Sequence, residues 1–270
     1  MLRSLGPTYR PSGSGLDPAR HREKPRVFAL PGPDAKTGHV TLPPPLDPAV
    51  DDALLALAPR QRELLGEYLD LLLHGAQLFN LTAIRDRADA WNRHVVESVR
   101  LVPYLGAGTS LLDVGSGGGL PGMVLAIARP DLAVTLLEAT GKKARFLEQT
   151  GRALGLENLT VLCDRAELAG AVGSPLRERF DIVAARAVAP LRVLLELTVP
   201  FTRVGGLVLA VKGEKAADEL NAATRALQEL HVVHEQTVRQ PTASLVLLRK
   251  RGTTSAKYPR RSGEPTRSPL

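Results

Sequence analysis

The residues with the clearest chemical meaning lie together in the run Leu111-Leu112-Asp113-Val114-Gly115-Ser116-Gly117-Gly118-Gly119-Leu120-Pro121-Gly122. A short apolar stretch reads as a buried strand. It carries an acid near its end, and four of the six residues after Asp113 are glycine. A turn without side chains lets bare backbone N–H groups approach a ligand, with the N-terminus of the next helix aimed at it. Pro121 suits the first turn of that helix, where a missing N–H costs little. The pattern marks a nucleotide-like ligand site at the carboxyl end of a first strand.

Two cofactor classes use such a turn. Gly117, Gly119 and Gly122 fit the GxGxxG dinucleotide fingerprint. Counted from Asp113, the same residues form the Asp-x-Gly-x-Gly-x-Gly of S-adenosylmethionine (SAM) enzymes. An acid beside the turn repels a pyrophosphate but suits a sulfonium cation and an α-amino group, so the charge favours SAM. The plain alternative is an ordinary glycine-rich turn with a capping acid. Glu138 closes the second strand, where an acid accepts hydrogen bonds from both ribose hydroxyls; a helix-capping role is its alternative, as it is for Thr140. The loop Asp164-Arg165-Ala166-Glu167 follows the third strand and would lie beside an adenine, or simply complement a helix dipole.

Arg186, alone among small residues after the fourth strand, could hold a ligand carboxylate or an RNA phosphate, or neutralise Asp113 or Glu138. Lys212 ends the fifth strand as a phosphate contact or a snorkelling lysine. Arg85, Arg87, Arg93, His94 and Arg100 gather near Trp91 as candidates for an RNA-facing surface. Solvated helix positions are the alternative for Arg87 and Arg100, and a packed ring for His94. Lys142, Lys143 and Arg145 read as a solvated helix face. No Ser-His-Asp arrangement, His-rich cluster or Walker-type loop stands out.

Positioning these groups requires alternating strands and helices. Strands are expected at Leu111–Val114, Val134–Glu138, Leu159–Cys163, Asp181–Ala185, Leu207–Val211, His231–Val238 and Ser244–Arg249, with helices starting near Pro121, Gly141, Glu167, Pro190 and Lys215. This is an α/β fold with a seven-stranded, mostly parallel sheet. Only Arg239–Ala243 separates the last two strands, too short for a helical crossover, so the terminal strand should run antiparallel. That departs from the usual dinucleotide fold and again favours SAM. Upstream, Asp47-Pro48 and Pro59 each read as a helix start, the second with Leu64, Leu65, Tyr68, Leu69, Leu72 and Leu73 on its stripe. A further helix is expected over roughly Ala88–Val102. The organisation is a disordered extension over 1–46, a helical unit over 47–104, a SAM-binding domain over 105–250 and a basic tail over 251–270.

The 270 residues, 44% hydrophobic, are enough for one sizeable core. Nine of the 21 prolines fall in residues 1–45, which explains the expected disorder there. The net charge of +7 is uneven: residues 1–45 hold seven Lys/Arg against three acids, and residues 249–270 hold seven against one, which leaves −3 for the rest. Basic tails point to a nucleic-acid partner, and the C-terminal one is expected to supply phosphate contacts. The single cysteine, Cys163, excludes an intrachain disulfide and points to a reducing cytoplasm. No apolar run reaches the ~18 residues of a membrane span.

Taken together, Asn80-Leu81-Thr82, Arg93-His94 with Glu97-Ser98, the run from Asp113 to Gly122, Leu136-Leu137-Glu138, Lys142-Lys143 with Phe146-Leu147, Ala185-Arg186-Ala187 and Lys212-Gly213 resemble the RsmG or GidB family. These are bacterial 16S ribosomal RNA guanine-N7 methyltransferases. The resemblance covers about residues 60 to 250 and the tail from Tyr258 to Leu270. It implies a class I, Rossmann-like SAM methyltransferase fold in a monomer that holds no metal. It implies that Gly115 and Leu120 contact SAM, that Ala166 and Glu167 sit by the adenine, and that Arg186 lines the pocket. Asp113, Gly117 and Glu138 join them as cofactor-binding candidates; Arg93, His94, Arg186 and Lys212 are the candidates for RNA. The implied partner is 16S ribosomal RNA or the small-subunit particle. A small-molecule methyltransferase and a non-catalytic RNA-binding assembly module are the alternatives.

Overall fold

The structure is a computed structural model and describes residues 54–270. The extension and the helix start at Asp47-Pro48 lie outside the described residues. Seven strands form one sheet: β1 (Ser110–Val114), β2 (Ala133–Leu137), β3 (Leu159–Leu162), β4 (Phe180–Arg186), β5 (Thr202–Lys212), β6 (Val232–Arg239) and β7 (Ser244–Lys250). Their order across the sheet is β3-β2-β1-β4-β5-β7-β6. The first five strands run parallel, and β7 is antiparallel to both of its neighbours.

Alternation along each strand sends Leu111 to one face and Leu112 to the other, and both faces are buried. On the first face, Leu209 and Leu247 pack with the helices α1 (Pro59–Leu78), α4 (Gly122–Ala128) and α5 (Gly141–Ala153). On the second, Val183, Val208 and Leu248 pack under α7 (Leu191–Thr198) and the C-terminal tail. The helices start within a residue or two of the expected Pro121, Gly141, Glu167, Pro190 and Lys215, the last two opening α7 and α8 (Ala216–Ala222).

The helical unit is no separate body. Leu65, Tyr68, Leu69, Leu72 and Trp91 share one apolar cluster with β1 and α4. Gln61 ties the two parts by donating from Nε2 to the carbonyls of Ile127 and Ala128, at 3.1 and 2.9 Å, at the end of α4. The second upstream helix begins as α2 (Arg87–Ala90), widens into a π-helical stretch over Trp91–Val96, and closes as α3 (Glu97–Val99). The Glu97 N–H reaches back to the Asn92 carbonyl there.

The tail, residues 251–270, packs on the second face, with Tyr258 and Leu270 buried. Its charges meet the acids of the body. Arg260 forms a bidentate pair with Glu196, Lys257 meets Glu229, and Arg251 meets Glu235. Arg177 clasps the segment by donating to the carbonyls of Thr254, Ser255 and Tyr258. The −3 of the body and the +6 of the C-terminus attract each other.

Candidate active site

The order β2-β1-β4 puts a topological switch at β1, and a crevice opens outside the carboxyl ends of these strands. The sequence places Asp113, Gly115, Glu138 and Arg186 at or just beyond these ends and Ala166 beyond the neighbouring end of β3, and the sheet brings all of them to this edge.

The glycine turn is built differently from the expectation of bare N–H groups. Gly115 and Ser116 both donate to the Leu137 carbonyl, at 2.8 and 3.2 Å, and Gly119 and Leu120 both donate to the Ser116 carbonyl. The Gly117 N–H donates to Glu138 Oε2 at 2.9 Å, and the Thr140 N–H to Oε1 of the same carboxylate at 2.8 Å. Glu138 therefore locks the turn to the end of β2. Thr140 sits at the N-cap of α5 but makes no capping bond with its side chain. Gly115, Gly117 and Gly119 hold φ of +71°, +56° and +104°, a region that L side chains rarely adopt. A Cβ at Gly115 would sit 2.9 Å from Val188, whereas one at Gly117 would meet nothing nearer than 3.9 Å. Gly117 faces open space.

Asp113 is fully buried and lies under the start of α4, where its Oδ2 accepts from the Gly122 N–H at 3.0 Å. Its Oδ1 has no hydrogen-bond partner. Burial pushes its pKa up to about 7, against the opposing pull of the Gly122 N–H. A dinucleotide phosphate needs this helix N-terminus and free turn N–H groups. Here the carboxylate takes the helix N-terminus, and the Leu137 carbonyl, the Glu138 carboxylate and the turn's own Ser116 carbonyl take most of the N–H groups. The residues fit a cationic nucleoside with no phosphate: Glu138 stands at the end of β2, where the sequence leads one to expect the ribose, and Gly117 leaves an open face. Tyr68 braces the turn from α1, its buried hydroxyl donating to the Gly118 carbonyl at 3.0 Å. Tyr68 was visible in the sequence only as a core position, and nothing in its spacing signals the bond.

Ala166 and Glu167 open the short helix α6 (Ala166–Ala169) beside this site. Glu167 Oε1 accepts from the Gly263 N–H of the tail at 2.8 Å, so the tail braces the expected adenine wall.

On the other side, Arg186 does not pair with Glu138. Its Nη2 meets His94 Nδ1 at 3.1 Å, and its Nη1 lies 3.6 Å from Glu97 Oε2. His94 is buried, and its Nε2 meets Thr82 Oγ1 at 2.8 Å. Arg93, on the same turn, is exposed. Ala187 follows Arg186 with φ of +53°, a strained value for a residue with a Cβ. Lys212 stands apart from the RNA-facing candidates. Its ammonium is buried on Glu219 at 2.8 Å and on the Ala189 carbonyl, where it fixes the loop after β4. Glu219 also accepts from the Leu191 N–H, so this lysine is spent on structure.

The reversed β7 separates this sheet from the all-parallel dinucleotide fold, and the occupied helix N-terminus separates its glycine turn from a phosphate site. Fold and site together define a class I methyltransferase that takes its methyl group from S-adenosylmethionine. A family model described as GidB, rRNA small subunit methyltransferase G, matches residues 61–246, and the chain belongs to this family. It is 49% identical over 200 residues to the ribosomal RNA small subunit methyltransferase G of Sorangium cellulosum, covering 73% of this chain and 83% of that relative. The relative of the same name from Chloroflexus aggregans is 43% identical over 227 residues, covering 80% and 93%. That from Bacillus subtilis is 36% identical over 224 residues, also covering 80% and 93%. Among the described residues, no helix is long and apolar enough to cross a membrane.

Proposed function

We propose that this protein methylates N7 of a guanine in 16S ribosomal RNA, as a free RNA or within the small-subunit particle, in the cytoplasm. The observation that carries the reading is that, among the described residues, the two base candidates at the crevice, His94 and Asp113, are engaged or sealed. Both His94 nitrogens are engaged, and burial followed by the Arg186 charge lowers its pKa to about 4. Asp113 is sealed from solvent. Guanine N7 carries an in-plane lone pair and no proton, so it needs no base to become a nucleophile. The names of the relatives supply the ribosomal RNA of the small subunit as substrate class.

When bound, SAM supplies an electrophilic methyl group on a sulfonium. The protein's part is positioning. Glu138 and the turn at Gly115, Gly117 and Leu120 hold the nucleoside, Ala166 and Glu167 flank the adenine, and Asp113 keeps the turn and α4 in register. Arg186 lines the opposite wall. Arg93, with the exposed Lys142 and Arg145, offers cationic surface for RNA phosphates.

Labelled SAM offered to 16S RNA, 30S particles and 23S RNA tests this. Digestion to nucleosides should yield labelled 7-methylguanosine from one of the two small-subunit substrates and none from 23S RNA. A different methylated nucleoside would overturn the N7 assignment. With small nucleophiles offered in a parallel reaction, label in those alone would favour the small-molecule enzyme, and label in nothing the non-catalytic module.

A further inference from the structure

Arg186 has only N–H donors, so the His94 nitrogen that it meets must carry a lone pair. The ring is then neutral with its proton on Nε2, and Nε2–H donates to Thr82 Oγ1. That hydroxyl oxygen also accepts from the Ile84 N–H at 3.1 Å. A chain of bonds therefore runs from the loop after α1 to the end of β4: Ile84 N–H to Thr82, His94 Nε2–H to Thr82, and Arg186 Nη2–H to His94 Nδ1. The His94 backbone is fixed as well, because its carbonyl accepts from Ser98 Oγ at 2.6 Å. His94 lies on a π-helical stretch, buried while its neighbour Arg93 is exposed, and such stretches often sit at functional sites. The guanidinium end left over, Nη1, is buried with no hydrogen-bond partner and only the 3.6 Å approach of Glu97. An unmade bond of this kind is costly unless a ligand completes it.

We infer that Thr82 and His94 are positioning residues that hold Arg186 in one orientation, with Nη1 kept available for an anionic oxygen of the bound reactants. His94 acts here through its lone pair and never as an acid or base. This rests on the methyl-transfer reading for its kinetic arm but not for its spectroscopic one. The charged groups around the ring are Arg186 from β4 and Arg93, Asp89 and Glu97 from its own helical segment. Arg186 in turn faces Tyr68 and Asp113.

The ring nitrogens of His94 in the full chain, followed by 15N NMR, provide the first test. The Nε2–H tautomer should persist, uncharged, from pH 8 down to about 5. Arg186→Gln should move the titration upward, toward the ordinary value of 6.5, while burial keeps it below that value. The second arm is single-turnover methyl transfer to the substrate particle. Thr82→Val should lower the rate about tenfold, with a parallel loss of SAM affinity by calorimetry if the oxygen belongs to SAM and none if it belongs to the RNA, and Thr82→Ser should restore the rate. A ring that titrates near 6.5 in the wild type, a protonated Nδ1, or equal rates in the Val and Ser variants would overturn the inference. If the particle accepts no methyl group from any variant, the functional reading fails, and the NMR arm still decides the tautomer and its dependence on Arg186.

Discussion

Asp113 shows how one residue can look like a ligand and act as a brace. A carboxyl at the end of β1 is the first mark of a cation-binding site, yet the side chain is sealed beneath α4 and bonded to Gly122. Its pKa is raised from the ordinary 3.8 to about 7, with burial as the main cause. Between these values the folded protein keeps a proton that the unfolded chain has released. This group therefore stabilises the fold at low pH, and its contribution is lost as pH rises through about 7. The slope is up to about 1.4 kcal/mol per pH unit. Asp113→Asn keeps an acceptor for Gly122 and cannot ionise, so its stability relative to wild type should rise from pH 5 to pH 8. Urea unfolding at four pH values checks this; parallel pH profiles for the two proteins would show that Asp113 titrates normally.

At the scale of elements, the glycine turn divides its glycines between two duties. Gly122 is needed for packing: a Cβ there would lie 2.3 Å from Leu136 and 2.8 Å from the Asp113 carboxylate. Gly122→Ala should cost about 1–3 kcal/mol, the range for an overpacked core. Gly117 is needed for conformation and ligand access. Gly117→Ala meets only the positive φ and should cost about 1–2 kcal/mol. Gly117→Val, by contrast, should abolish SAM binding by filling the open face. Denaturant midpoints together with calorimetric titration of SAM separate these effects. Loss of stability at Gly117→Ala greater than at Gly122→Ala would reverse the assignment. The end of the sheet follows a similar logic. β7 reads Ser-Leu-Val-Leu-Leu and is buried on both sides, so it enters the sheet between β5 and β6. β6 carries His234, Glu235 and Gln236 and stays at the edge.

For the whole molecule, the tail decides more than its charge suggests. Glu196 has no solvent exposure, and Arg260 is its partner. Arg260→Ala leaves a buried, unpaired carboxylate and should cost about 3–5 kcal/mol. The double change Arg260→Met with Glu196→Leu should recover most of that, since an apolar pair of similar volume is often as stable. Urea melts of the three proteins test the cycle, and an Arg260→Ala loss below about 1 kcal/mol would mean that the pair is solvated. Because Gly263 binds Glu167, the same Arg260→Ala variant should also weaken SAM binding. An arm that served RNA alone would leave SAM binding unchanged and alter only the salt dependence of RNA affinity.

The sequence by itself determined the strand and helix order, the antiparallel last pair and the crevice at the end of β1, because these follow from local periodicity, turn residues and connection length. It also identified Asp113, Glu138 and Arg186 as the residues to watch. Only the tertiary structure decided what each one touches. Arg186 meets a histidine 92 positions earlier, and Lys212 is spent on Glu219. The N–H groups of the glycine turn go to Leu137, to Glu138 and back into the turn itself, and the basic tail folds back onto acids that are dispersed along the chain. Burial and long-range pairing are properties of the assembled core, and no local pattern encodes whether a charge ends in solvent or against an opposite charge.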